Sequence, residues 1–142
     1  MIRQQFYIPK IGWKVYIYYS VDCYDTDEIV HKMRRFGASK EFLLTAEENM
    51  RSCRLDTGIT YSNFLYRITI MAIGRASSER EFFNSYIHEQ RHLQDDLANM
   101  NGISLDGEEI AYLSGEIAMK VFDYIKLFIC DCNHYKNKKY ET

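Results

Sequence analysis

The second half of the chain carries two long helical stretches separated only by NGISLDG. Ser78 stands three residues before Glu81, the spacing of a capping box, and predicts a helix over about Glu79 to Met100. Asp106 then starts a last helix through EEIAYLSGEIAMKVFDYIKLFI. A short glycine-containing link folds the second of two such helices back against the first. Whatever precedes them must therefore pack onto a helical pair.

What precedes them is rich in strand formers. RQQFYIP and WKVYIYYSV are β-branched and aromatic runs flanking PKIG, which reads as a β-hairpin. Asp25 and Glu28 have near capping-box spacing and open a helix over about Asp27 to Phe36, stopped at Gly37. Ser39 opens another helical stretch, with Thr45-x-x-Glu48 marking a break or a second start. RLDTGITYSN is rich in turn formers and reads as a loop. FLYRITIMAIG reads as a third strand, with Leu65, Arg67, Thr69 and Met71 on one face. With one proline, no repeats and no linker in 142 residues, the expectation is a single α+β domain over 1–142. It has a sheet of about three strands packed against helices, and the two longest helices carry any site.

Charge and length exclude several function classes. A net charge of −2 with no basic stripe argues against a nucleic-acid binder. KNKK near the C-terminus is too short to change that. No stretch approaches membrane-span length, and the N-terminal MIRQQFYIPKIGWK has no apolar signal-type core. The expectation is a cytoplasmic protein with no nucleic-acid or membrane partner. Its four cysteines form no C-x-x-C pair, and a reducing compartment keeps them as thiols.

Within the first long helix, SYIHEQRHLQDD contains His88, Glu89 and His92, spaced H-E-x-x-H. Residues four apart on a helix share a face, so both imidazoles can point at one ion. Zinc accepts imidazole nitrogen and prefers four ligands. Glu89, one step round from His88, stands beside the ion, where it can take a proton from water. By composition alone the motif arises in on the order of 1 in 100 such chains. Its position mid-helix, after a cap and a strand, adds weight. A catalytic zinc needs a third protein ligand and an open position. The start of the last helix offers Glu108 and Glu109; Asp106 as N-cap would pair with Glu109 and leave Glu108 for the metal, with Glu116 a third choice.

Other residues compete with blander roles. Acidic residues at a helix start are favoured by the helix dipole in any case. Asp95 and Asp96 can hold a ligand imidazole from behind or simply form a charged face. Arg91 faces solvent or pairs with a carboxylate. Tyr86 and Tyr112 can donate to an oxyanion, but in a chain with 12 tyrosines packing is the plainer role. Cys130, Cys132 and His134 are soft ligands without zinc-finger spacing, and His31 lies on a short amphipathic helix.

The stretch NSYIHEQRHLQDDLA…GEEIAYLSGEIA resembles small HExxH proteins encoded by phages and mobile elements of gut bacteria, especially Bacteroides-type hosts. In these a motif helix is followed by a short loop and a helix beginning E-x-x-A-Y-L-x-G, here Glu108, Ala111, Tyr112, Leu113 and Gly115. The likeness covers about residues 55 to 120. It implies a zincin-like metallopeptidase domain with one catalytic Zn2+, held by His88, His92 and Glu108. Glu109 is the alternative ligand, Glu89 the base, and Asp96 and Tyr112 support the metal or an oxyanion. The implied setting is the cytoplasm of a bacterial host cell, and the implied partner is a protein or peptide substrate. A non-enzymatic interaction protein with a structural or vestigial metal site is the competing reading.

Overall fold

The structure is a computed structural model that describes residues 1–53 and 58–130. Strand β1 (Ile2–Ile8) and strand β2 (Trp13–Val21) form the expected hairpin, in antiparallel register from Ile2↔Tyr19 to Ile8↔Trp13. A short 3-10 turn over Pro9–Ile11 joins them and closes on Gly12, whose φ of 61° is left-handed and suits glycine. Helices α1 (Thr26–Arg35) and α2 (Lys40–Arg51) follow, then β3 (Gly58–Asn63), β4 (Ile68–Gly74), α3 (Glu79–Asn101) and α4 (Glu108–Ile129).

The four strands make one sheet in the order β1-β2-β4-β3. The β4 strand runs parallel to β2, and β3 pairs antiparallel with β4 at the sheet's end. Helices cover both faces. Val15, Ile17, Met71 and Ile73 pack with Phe82, Leu93, Leu97, Leu113 and Ile117 of α3 and α4. Tyr18, Ile68, Ile70 and Ala72 pack with Ile29, Met33, Leu43 and Met50 of α1 and α2. A strand covered on both faces loses its polar alternation, and all of β4 is buried.

The domain is α+β, as expected, but has four strands rather than about three. GITYSN, expected as a loop, is the edge strand β3, and every residue in it is half-buried. Its turn-forming composition reflects an edge position, where one side faces solvent. Phe64 to Arg67 form the β3–β4 turn instead of starting β4; Arg67 has a φ of 50° and donates to the carbonyls of Ile11 and Gly12. The α2 helix is continuous through Thr45, capped by Ser39, whose Oγ accepts from the Phe42 amide at 3.1 Å. No described helix is long and apolar enough to cross a membrane.

One buried polar link ties the hairpin to the last helix. The Tyr19 hydroxyl donates to Gln4 Oε1 at 2.5 Å, and Gln4 Nε2 donates to the Lys120 carbonyl at 2.7 Å. Burial holds the Tyr19 hydroxyl far above the ordinary phenol pKa. Gln4→Ala strands that hydroxyl without a partner, whereas Tyr19→Phe removes it. We expect Gln4→Ala to cost about 1–3 kcal/mol and Tyr19→Phe about 0.5–1.5 kcal/mol, read from urea unfolding midpoints.

Candidate functional site

Helix α3 is anchored at its start as the sequence predicts. Ser78 Oγ accepts from the Glu81 amide at 3.2 Å. The Glu81 carboxylate turns back to Ser77 instead of closing a box on Ser78. The helix runs on for 23 residues, so the H-E-x-x-H stretch lies in its rigid middle, where every backbone group is bonded.

His88 and His92 are exposed and face each other. Their Nε2 atoms are 3.2 Å apart, with ring centroids at 4.9 Å and ring planes inclined by 69°. Two nitrogens at 2.0–2.1 Å from a tetrahedral ion stand about 3.3–3.4 Å apart. The pair is therefore set at close to the bite of a single zinc-sized cation. Without an ion the same spacing suits one imidazole N–H donating to the other.

Glu89 points the other way, into the protein. It is 2% exposed, and its Oε2 accepts from Thr60 Oγ1 at 2.7 Å. This places the carboxylate under the edge strand, against Gly58. A Cβ on Gly58 would lie 2.1 Å from the Ala72 carbonyl and 2.8 Å from Glu89 Cγ. Only glycine fits between β4 and that side chain. Of the two following acids, Asp95 is engaged by Arg91, whose Nε donates at 2.9 Å. Asp96, half-buried, lies one helical turn past His92. Burial raises its pKa, while a hydrogen bond from Ser62 and the charge of His92 work against that rise.

Ser62 and Asp96 end a polar chain that sequence reasoning did not find. Trp13 Nε1 donates to Thr69 Oγ1 at 2.9 Å, and Thr69 and Ser62 share a hydrogen bond of 2.8 Å. With Thr69 accepting from Trp13 and donating to Ser62, the chain crosses three strands and reaches α3. Thr60 and Ser62 alternate along β3, the period-2 signal that places both on one face. The loop reading of GITYSN hid that signal.

The residues expected from α4 lie elsewhere. Helix α4 begins at Gly107, with a φ of 98° and no side-chain cap. Asp106 is thus not the N-cap, and Glu109 does not close a capping box; its Oε1 lies 3.9 Å from Lys10 Nζ on the hairpin turn. Tyr112, 74% exposed, shares a small hollow with Lys10, Glu109 and Glu116. The α3–α4 contact at the level of the motif is Ser114, whose Oγ donates to Gln94 Oε1 at 3.3 Å and meets Gln90 Nε2 at 3.5 Å. Gln90 and His92 project roughly 160° apart around α3. So α4 packs on one flank of α3 and the imidazoles stand on the other. At a rise of about 1.5 Å per residue, Glu108 is also roughly 9 Å further along the axis than Ser114. Among the described residues, no three His, Cys, Asp or Glu side chains gather as a metal site.

The remaining candidates are plain. Tyr86 is buried and donates to Gln90, and burial raises its pKa. His31 is exposed on α1. Cys23 and Cys53 are free, whereas Cys130, expected as a thiol, is disulfide-bonded. Cys132 and His134 lie outside the described residues. Comparison of the chain with known protein families, curated proteins and solved structures gives no match.

Two glycines provide a contrast that checks this geometry. Gly58→Ala forces β3 or Glu89 to move and should cost about 1–3 kcal/mol. Gly115→Ala lies on α4, where a Cβ meets nothing within 4 Å, and should gain up to about 1 kcal/mol. Chemical denaturation of both variants reads the difference. Equal effects would mean that Gly58 is not the close-packed position described.

Proposed function

We propose that this chain is a zinc-dependent metallopeptidase of the HExxH type, with a zincin-like arrangement of motif helix and edge strand. The observation that carries the reading is the His88–His92 pair, whose 3.2 Å nitrogen spacing matches two ligands of one cation. Glu89 follows His88 directly in the sequence, and Asp96 lies one helical turn past His92, the spacing at which a carboxylate can fix a ligand imidazole's tautomer. The resemblance of the motif stretch to phage and mobile-element proteins of gut bacteria supports the same reading. So does a net charge that suits neither nucleic acid nor an anionic membrane. The setting we propose is the cytoplasm of a bacterial host.

His88 and His92 fit a metal ion as they stand; Glu108 does not, and Glu109 is turned toward Lys10. We keep Glu108 as the proposed third ligand on the strength of the E-x-x-A-Y-L-x-G resemblance, which requires the first turn of α4 to close on the pair. When bound, zinc supplies a Lewis acid that lowers the pKa of water. The chain's own residues supply the rest. As the base, Glu89 would take a proton at a carboxylate oxygen and hand it to the leaving amine, a role that requires it to turn out from its place under β3, where it accepts from Thr60. The outer edge of β3 offers backbone N–H and C=O groups to an extended substrate peptide, and Phe64 and Leu65 offer apolar contacts at its end.

The missing third acid favours a second reading: a non-enzymatic interaction protein whose metal site is vestigial or structural. Zinc titration followed by calorimetry separates the two. His88→Ala and His92→Ala should each weaken binding at least tenfold. Glu108→Gln should weaken it as well if that residue closes on the ion, and not otherwise. Glu89→Gln should retain metal yet remove every new peptide terminus that the wild-type protein generates in host lysate. Identical termini from wild type and Glu89→Gln would leave the interaction reading standing.

A further inference from the structure

A hollow elsewhere on the molecule has neither histidine in its lining. It encloses about 510 Å³ beside the end of β2 and is lined by Asp22, Cys23, Met50, Cys53, Arg75 and Ser77, among others. Cys23 follows β2 in a short 3-10 turn, and Cys53 lies just past the end of α2. These are the free cysteines among the described residues. Though 30 positions apart, they open onto one cavity, and the Cys23 thiol is hydrogen-bonded to Cys53, which pushes its pKa up.

Three features make the pair more than two stray thiols. Cys53 is exposed and Cys23 half-buried, so a small oxidant meets Cys53 first. Cys53 holds a φ of 54°, a left-handed backbone that costs energy in a residue other than glycine or asparagine. The wall of the hollow carries Arg75, whose Nη1 lies 3.8 Å from Asp22 Oδ2, so a cation stands beside the two thiols.

We propose that Cys23 and Cys53 are a redox dithiol that closes reversibly to a disulfide by exchange with a small-molecule disulfide such as oxidised glutathione. The Cys53 thiolate attacks one sulfur of the small disulfide, breaking its S–S bond and releasing one thiolate. The Cys23 thiolate then attacks Cys53 Sγ, breaking the mixed disulfide and releasing the second. Two protein thiols are oxidised and one small disulfide is reduced to two small thiols, which carry off the two protons. The closed bond ties the end of α2 to the start of the α1 segment.

The test uses the full chain, first fully reduced, then equilibrated with glutathione at a series of reduced-to-oxidised ratios and alkylated. Peptide mapping without reductant should find a Cys23–Cys53 cross-linked peptide that rises and falls reversibly with the ratio. Cys23→Ser should trap Cys53 as a glutathione adduct, and Cys53→Ser should leave Cys23 unmodified or far slower to react. The cross-linked form should melt roughly 5–10 °C higher than the reduced one. The inference is overturned if both cysteines stay alkylated as free thiols at every ratio. It is equally overturned if wild type gives only separate glutathione adducts, or if Cys23 or Cys53 pairs elsewhere. None of these outcomes depends on metal binding or peptidase activity.

Discussion

The seating of α3 across the edge of the sheet governs the rest of the molecule. A carboxylate taken out of water must be compensated, or it costs several kcal/mol. Glu89 is nearly fully buried, yet no buried side-chain nitrogen or oxygen among the described residues lacks a hydrogen-bond partner. That outcome needs Thr60 at one position of β3, and no side chain at Gly58 two residues earlier. A helix rotated by one residue would put His88 or Gln90 where Glu89 lies, and neither is a carboxylate for the Thr60 hydroxyl to donate to. The motif's glutamate therefore acts as a register pin, and the rotation it fixes turns His88 and His92 outward along the same flank.

Much of this was legible in the sequence, and the legible parts are local. The hairpin follows from two β-branched runs around Pro9 and Gly12. The caps at Ser39 and Ser78 follow from a side-chain oxygen three residues before an amide. The helical repeat alone brings His88 and His92 together. The failures are non-local or belong to an edge. GITYSN is a strand because it pairs with β4, and its polar residues are those an edge strand shows to water and to α3. Asp106 loses the capping role because Gly107 takes the backbone turn and Lys10, nearly a hundred residues away, attracts Glu109. Nothing within a few residues of Glu109 announces Lys10. The polar chain from Trp13 through Thr69 and Ser62 to Asp96 likewise joins four separate elements, so no spacing rule could have found it.

The position of α4 follows from apolar packing rather than from any demand of the motif. Leu113, Ile117 and Val121 recur at helical spacing and sit in the same core as Leu93 and Leu97. With that stripe fixed, Ser114 must face Gln90 and Gln94, and the helix's own acids fall on the hairpin side or at its exposed start. Rolling α4 around α3 to carry Glu108 to the imidazoles would uncover this stripe. At about 1.5–3 kcal/mol for each large apolar side chain returned to water, a few such residues exceed what one carboxylate ligand would be expected to return. Any approach of Glu108 must therefore be confined to the helix's first turn. Glycines at 102 and 107, both with left-handed φ, bracket the link that would have to adjust.

The two faces of the sheet divide the chemistry in a way that follows from strand order. Between β4 and solvent stands only β3, and it has an acid-bearing helix against one face and its outer edge open. Cys23 and Cys53 lie at the start of α1 and just past the end of α2. The core on the α1–α2 side, with Ile29, Met33 and Ile70 fully buried, has no slack to pass on a small shift. An edge strand paired on one side alone is the least restrained part of the sheet. Glu89 accepts from Thr60 of that strand, so the strand's freedom bears on how firmly the carboxylate is aimed.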